Sequence, residues 1–377
     1  MRLQKKYPWV FAFKKFHRRT FSGLRAVQEL LHYQTKKPAA SGTYMAMIEF
    51  TPNGLYCSRA QVFIDPWRPV SKAIITHAHS DHAYAGHSLY LCTKETVPLL
   101  KHRLGSHIKT QGLAYNTSIT LNGVRISFHP AGHIYGSAQI RLEYKGEIWV
   151  ISGDYKTEND TISRPIEVQK CHTFITESTF GLPAFQWKPQ NQIFTEINDW
   201  WRDNAQKGIV SVISAYSLGK AQRIIKHLDR NIGPVFTHGA IENTHDVLRR
   251  EGLAIPHGLP VTDGGKPERF QNGIIIAPPS AMGSAWMKRF GVYEEAVASG
   301  WMAVRGIKRR RNVSRGFILS DHADWQGLNQ VIRETGASRI LVTHGFSDIF
   351  SKWLQEQGLE SRVIETEFSG EEASDQV

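Results

Sequence analysis

A layered α/β protein with a long strand-and-helix insertion is what this 377-residue sequence predicts, and three observations predict it. Between residues 48 and 151, short runs rich in β-branched and aromatic residues are bounded by Gly, Pro, Asn or Asp, which is the texture of a sheet. After Phe174-Ile-Thr176 the pattern changes to strands alternating with helices and holds to about Gly300. Sheet texture then returns, and single histidines and aspartates stand directly behind several of the strands.

The first sheet strands are read at Ile48-Glu-Phe50, Gln61-Val-Phe-Ile64 and Ala73-Ile-Ile-Thr76, followed by Val124-Arg-Ile-Ser-Phe128, Ala138-Gln-Ile-Arg-Leu142 and Ile148-Trp-Val-Ile151. In the insertion, the apolar spacing of 192–201 fits a helix, 209–213 a strand and 221–228 a second helix. The closing strands are Gly316-Phe-Ile-Leu319 and Arg339-Ile-Leu-Val-Thr343, with a helix over 325–334 between them. The acidic, Ser-containing end at 369–377 reads as a frayed tail.

Composition excludes several classes. Apolar residues at 41% supply a core, so the chain is globular rather than disordered. Every apolar run is cut short of the ~18 residues a membrane helix needs, so no membrane association is expected. Cys57, Cys92 and Cys171 show no pairing pattern, which fits buried thiols in a reducing cytoplasm. The net charge of +12 is concentrated at the start: residues 1–40 hold ten Lys and Arg against Glu29 alone, or +9, leaving +3 for the rest. That extension, with its interleaved aromatics, is either a basic arm gripping phosphates or an upstream start, the true beginning being Met45 or Met47.

The chemistry concentrates in Ile75-Thr-His-Ala-His-Ser-Asp-His-Ala-Tyr-Ala-Gly-His87, four histidines and an aspartate behind an apolar strand. In extended backbone, residues two apart face the same side, so His77 and His79 reach one ion while Asp81 and His82 turn to offer a second set. Imidazole mixed with carboxylate, and no thiolate, suits zinc, manganese or iron in a reactive site. Three further ligand-type residues follow later strands: His133 in Pro130-Ala-Gly-His133, Asp154 in Ile151-Ser-Gly-Asp154, and His344 in Leu341-Val-Thr-His344. They complete one set of His77, His79 and His133 and another of Asp81, His82 and His344, with Asp154 bridging. Two ions ~3.5–4 Å apart clamp a scissile group and generate hydroxide near neutral pH. His87 matches no ligand position and is expected at the surface or behind the ligands.

These residues resemble the metallo-β-lactamase fold superfamily over most of the chain after residue 48. The resemblance implies an αββα sandwich with its metal site at the sheet edges, and gives Asp65 in Phe63-Ile-Asp65-Pro66 the role of orienting the histidine cluster from behind. Thr176-Glu-Ser-Thr-Phe-Gly181, Ser217-Leu-Gly-Lys-Ala-Gln-Arg223 and Leu319-Ser-Asp-His-Ala-Asp324 are similar to motifs of the β-CASP nucleases, in which an α/β domain is inserted into that sandwich. The resemblance implies Glu177 as an acidic support and His322 as general acid for the leaving oxygen. Asp81, Glu177 and His322 are thus the expected catalytic residues, and two divalent ions, zinc or manganese, the expected cofactors.

Gly54-Leu-Tyr-Cys57, Ile64-Asp-Pro-Trp-Arg-Pro69, Ser299-Gly-Trp-Met-Ala-Val-Arg305 and Gly316-Phe-Ile-Leu-Ser-Asp-His-Ala-Asp-Trp325 narrow the resemblance to bacterial ligase-associated DNA exonucleases. This implies DNA as substrate and, as partners, an ATP-dependent DNA ligase and a helicase of the same pathway. A His at the position of His344 is more usual in RNA-acting members, so an RNA-processing nuclease stays open, as does a non-catalytic nucleic-acid scaffold. Lys308, Arg309, Arg310 and Arg311 either track a nucleic-acid backbone or form a solvated loop. The implied organisation is an extension at 1–44, the sandwich at 45–180 and 301–368, the β-CASP insert at 181–300, and the tail.

Overall fold

The computed structural model describes residues 47–261, 267–304 and 314–367. The sequence-predicted extension at 1–44, the basic run Lys308–Arg311 and the tail at 369–377 lie outside those residues.

Six short strands open the fold: β1 (Glu49–Thr51), β2 (Gly54–Cys57), β3 (Val62–Ile64), β4 (Ala73–Ile74), β5 (Tyr90–Thr93) and, after helix α1 (Thr96–Leu104), β6 (Thr110–Leu113). They form one sheet in chain order, antiparallel through β3 and parallel thereafter. The next five strands, β7 (Ser118–Leu121), β8 (Val124–Pro130), β9 (Ala138–Tyr144), β10 (Glu147–Ile151) and β11 (Thr173–Ser178), belong to a second sheet.

The insert supplies α2 (Gln190–Gln206), β12 (Val210–Ser214), α3 (Lys220–His227), β13 (Val235–Thr237), α4 (Gly239–Arg250), β14 (Leu259–Pro260), β15 (Ile274–Ala277), β16 (Tyr293–Ala298) and β17 (Arg315–Phe317). Its six strands pair all-parallel in the order β14-β13-β15-β12-β16-β17. Finally α5 (Trp325–Thr335), β18 (Arg339–Gly345), α6 (Ser347–Glu356) and β19 (Glu360–Val363) return to the second sheet, whose order is β19-β18-β11-β10-β9-β8-β7. Gly316-Phe-Ile-Leu319, read from sequence as the return to the sandwich, instead overlaps β17 (Arg315–Phe317), which pairs in parallel with β16, so the insert's sheet runs on past residue 300 to Phe317.

Alternation along the strands explains the layers. On β10, Trp149 and Ile151 point into a core shared with Leu55, Ile64 and Leu91 of the first sheet, while Val150 points the other way with Phe174 and Ile340. That second face is covered by Leu328, Val331 and Ile332 of α5 and Phe350 and Leu354 of α6. The outer face of the first sheet joins α1 and the insert in one continuous core, where Ile75, Tyr90 and Leu99 meet Ile193, Trp201 and Ile224. Burying a side chain of this size is worth ~1.5–3 kcal/mol, so this shared core fastens the insert against the sheet edge that bears the histidines.

Candidate metal centre

Each candidate ligand lies at or just beyond a strand end, where the backbone stops pairing and side chains from neighbouring strands converge. His77, His79, Asp81 and His82 follow β4, His133 follows β8, Asp154 follows β10, Glu177 lies near the end of β11, and His344 near the end of β18. Ligand crevices at strand ends are the general expectation for open α/β sheets. Gly153, just before Asp154, has φ +56°, and a Cβ there would sit 2.7 Å from Thr76 Cβ. Only glycine lets the Asp154 turn approach the histidine strand so closely.

Asp154 is the hub. Its Oδ2 lies 3.6 Å from His77 Nε2, 3.5 Å from His82 Nε2 and 3.8 Å from His133 Nε2. Ligand-type atoms of His77, His79, His133 and Asp154 fall within 4.8 Å of one another, as do those of Asp154, Glu177 and His322. Asp81 Oδ2 is 4.0 Å from His82 Nε2, and the His344 ring centroid is 6.2 Å from that of His82, so both stand on the His82 side. His344 takes φ +59° to do so.

Buried partners behind the ligands fix their ring orientations. Asp65 Oδ1 accepts from the Thr76 N–H (2.8 Å) and its Oδ2 lies 2.8 Å from His82 Nδ1. Thr76 Oγ1 is 3.0 Å from His77 Nδ1. His79 Nε2 donates to the carbonyl of Leu218, in the insert (3.1 Å), and His133 Nδ1 to the carbonyl of Asp321 (2.8 Å). A carbonyl only accepts, so in the neutral rings His79 Nδ1 and His133 Nε2 both carry lone pairs, yet they face each other at 3.0 Å.

That arrangement fits a cation. Two facing lone pairs repel unless positive charge lies within reach of both. In addition, His77 Nε2 and Asp154 Oδ1 are buried with no hydrogen-bond partner among the described residues, a costly state for polar atoms that bind nothing. Electrostatics agree for the His77, His79 and His133 set, whereas at His82 burial is outweighed by Asp154 and Asp81, which hold its imidazole well above the ordinary pKa and leave it to be deprotonated when an ion binds. Burial pushes the imidazoles of His77, His133 and His79 below their ordinary pKa, keeping them neutral as metal ligands must be. Burial works against ionisation of Asp154, but His82 and His322 hold its carboxyl well below the usual range.

Beside this cluster, Glu177 and His322 form a buried pair. Glu177 accepts from the Tyr155 N–H at 2.7 Å and from the Thr179 hydroxyl, and lies 2.9 Å from His322 Nδ1. The His322 ring centroid is 4.7 Å from that of His133, which puts the pair on the edge of the ligand cluster. Trp187 Nε1 donates to the His322 carbonyl at 2.9 Å and holds the loop down.

His87, expected at the surface or behind the ligands, is buried. Its Nδ1 accepts the Val70 N–H and its ring packs 4.9 Å from Tyr90, so it braces the end of the histidine loop against the sheet. The supporting groups that sequence reading missed are Thr76, the Leu218 carbonyl, and Asp321 with its cations Lys220 and Arg223. Lys220 and Arg223 share one helix face at i, i+3, a visible spacing whose burial was not visible.

Strand-end histidines and a central aspartate are thus set on a two-sheet sandwich with a parallel α/β insert. That arrangement resembles the β-CASP group of the metallo-β-lactamase fold. No protein-family model matches the chain. A probable DNA ligase of Opitutus terrae is 30% identical over 315 residues, covering 83% of this chain and 30% of that protein. An RNase J-like protein of Methanocaldococcus jannaschii is 26% identical over 46% of this chain and 48% of its own length. The chain thus spans about a third to a half of these relatives. A protein of unknown function from Enterococcus faecalis V583 shares the fold, with TM-score 0.55 at 12% identity over 79% of this chain and 80% of that one.

Proposed function

We propose that the chain is a metal-dependent phosphodiesterase, a DNA exonuclease acting in repair beside a DNA ligase. The observation that carries this reading is Asp154, whose one carboxylate meets three imidazoles while lying within 4.8 Å of the Glu177–His322 pair. Metal ligands and a proton donor therefore converge on one point.

In this reading His77, His79, His133 and Asp154 hold one divalent ion, and Asp81, His82, Asp154 and His344 the other, with zinc or manganese the best match to the donor set. Divalent ions held there would supply Lewis acidity, offsetting phosphate charge and lowering the pKa of a water toward neutrality. The chain's own groups do the rest. Asp65, Thr76, Leu218 and Asp321 hold the ligand rings in place. Glu177 keeps the Nδ1 proton of His322, so that Nε2 delivers a proton to the departing oxygen. A complete ligand set speaks against a non-catalytic scaffold.

A stretch similar to this chain inside a protein named for DNA ligation supports DNA as substrate and an ATP-dependent ligase as partner. The helicase partner rests on the family resemblance alone. Three buried, free cysteines support a reducing cytoplasm, and no helix among the described residues is long and apolar enough to cross a membrane. The second reading, an RNA-processing nuclease, is favoured by His344 and by the relative named RNase J-like.

Matched end-labelled DNA and RNA strands, incubated with the chain and zinc or manganese, separate the two. Chelator-sensitive release of single nucleotides from DNA, faster than from RNA, is expected. Faster release from RNA would replace the first reading by the second, and cleavage of neither would remove both.

A further inference from the structure

We propose that Lys220 and Arg223, on the first turn of the insert's helix α3, are positioning residues of the metal centre that set His133 and His322 through Asp321. Lys220 Nζ lies 2.9 Å from Asp321 Oδ2, and Arg223 Nη1 lies 2.7 Å from Oδ1, so each carboxylate oxygen is taken by one insert cation. All three side chains are buried, at 1% exposure each. Arg223 Nη1 also donates to the Ser320 carbonyl at 2.6 Å, so the backbone on the near side of Asp321 is held as well.

What Asp321 does with this anchorage is on its backbone. Its carbonyl accepts His133 Nδ1–H, which fixes the nitrogen that His133 turns to the cluster. The next residue is His322. The position of α3 is therefore transmitted to one metal ligand and to the proton donor through a single peptide unit. The loop entering the same helix holds a third histidine, since the Leu218 carbonyl accepts His79 Nε2–H.

Gly219 shows how tightly the helix start is seated. It has φ +106°, and a Cβ there would lie 2.8 Å from Asp321 Oδ2. The backbone between Leu218 and Lys220 thus presses directly on the carboxylate that the two cations hold. Burial would raise the Asp321 carboxyl, but Lys220 and Arg223 hold it well below the usual carboxylate range. The insert is therefore part of the metal centre's outer support and more than a cover over it.

This inference rests on the metal-centre reading, so its test reads metal affinity apart from cleavage. Zinc is titrated into the metal-stripped full chain, as wild type, Lys220→Met, and the double variant Lys220→Met with Asp321→Asn. The single variant leaves a buried carboxylate short of a partner and is prone to unfold. The double variant removes one positive and one negative charge together and keeps the site's net charge, so it serves as the foldable form.

Both are expected to bind zinc ~10- to 100-fold more weakly, and kcat on the cleaved strand is expected to fall while KM stays near wild type. Unchanged zinc affinity and kcat in a folded double variant would overturn the proposal, and so would a lower melting temperature with unchanged zinc affinity, the mark of a purely structural role. Weakened zinc binding in a chain that cleaves neither DNA nor RNA would instead contradict the nuclease reading and leave the positioning role standing.

Discussion

Asp154→Asn is expected to give a folded chain that has lost most of its bound metal and more than ~10²-fold of its cleavage rate, since even residues behind the ligands are worth ~10- to 100-fold. The reason lies in the shared oxygen. Asp154 Oδ2 is the atom that meets His77 and His133 on one side and His82 on the other. Asparagine keeps the size but not the charge, and one of its two positions becomes an NH₂ donor with no lone pair. Whichever way the amide turns, the two ligand sets no longer share a carboxylate. Elemental analysis of the purified variant, beside initial rates on labelled strands, checks both parts. Wild-type metal content with wild-type rate would remove Asp154 from the site.

His322→Ala is expected to lower the rate on a nucleic-acid strand by ~10²- to 10⁴-fold, the usual worth of a positioned general acid. A structural defect could do the same, so leaving-group dependence decides. A sugar alkoxide needs a proton as it departs, whereas a nitrophenolate does not. The variant should therefore lose far less on a nitrophenyl phosphodiester than on DNA. Glu177→Gln should show the same pattern in weaker form, ~10- to 100-fold on DNA, because glutamine presents a weaker acceptor to His322 Nδ1. Equal losses on both substrates would show that His322 shapes the site without donating a proton.

Much of this site was legible because its residues stand at strand ends. An apolar run followed by His, Asp and Gly marks a place where the chain leaves a sheet, and several such places on neighbouring strands must meet. The strands of the sandwich at 124–128, 138–142 and 148–151 were legible for the same reason, their β-branched residues alternating between two faces. Helix α1 was not read, since Pro98 inside Thr96–Leu104 breaks the expected pattern, although near a helix start its missing N–H costs little.

Pairing partners were harder still. A two-residue period says that Gly316-Phe317 is extended but not which strand it joins, and it joined the insert's sheet. The buried charges were the least visible. Lys156, Asp160, Lys220, Arg223 and Asp321 are ordinary surface residues by type, and only the packed insert reveals that they lie inside, with Lys156 Nζ 2.7 Å from Asp160 Oδ2 and Asp160 Oδ2 3.8 Å from Arg223 Nε.

The central claim is that two ions held by strand-end histidines and aspartates carry phosphodiester cleavage. Its most direct test is end-labelled DNA and RNA digestion by wild type and Asp81→Ala, with the metal content of each preparation measured. Wild type is expected to carry about two divalent ions per chain and to release nucleotides, and Asp81→Ala to have lost metal and nearly all cleavage together. Full metal content and retained cleavage in Asp81→Ala would contradict the account.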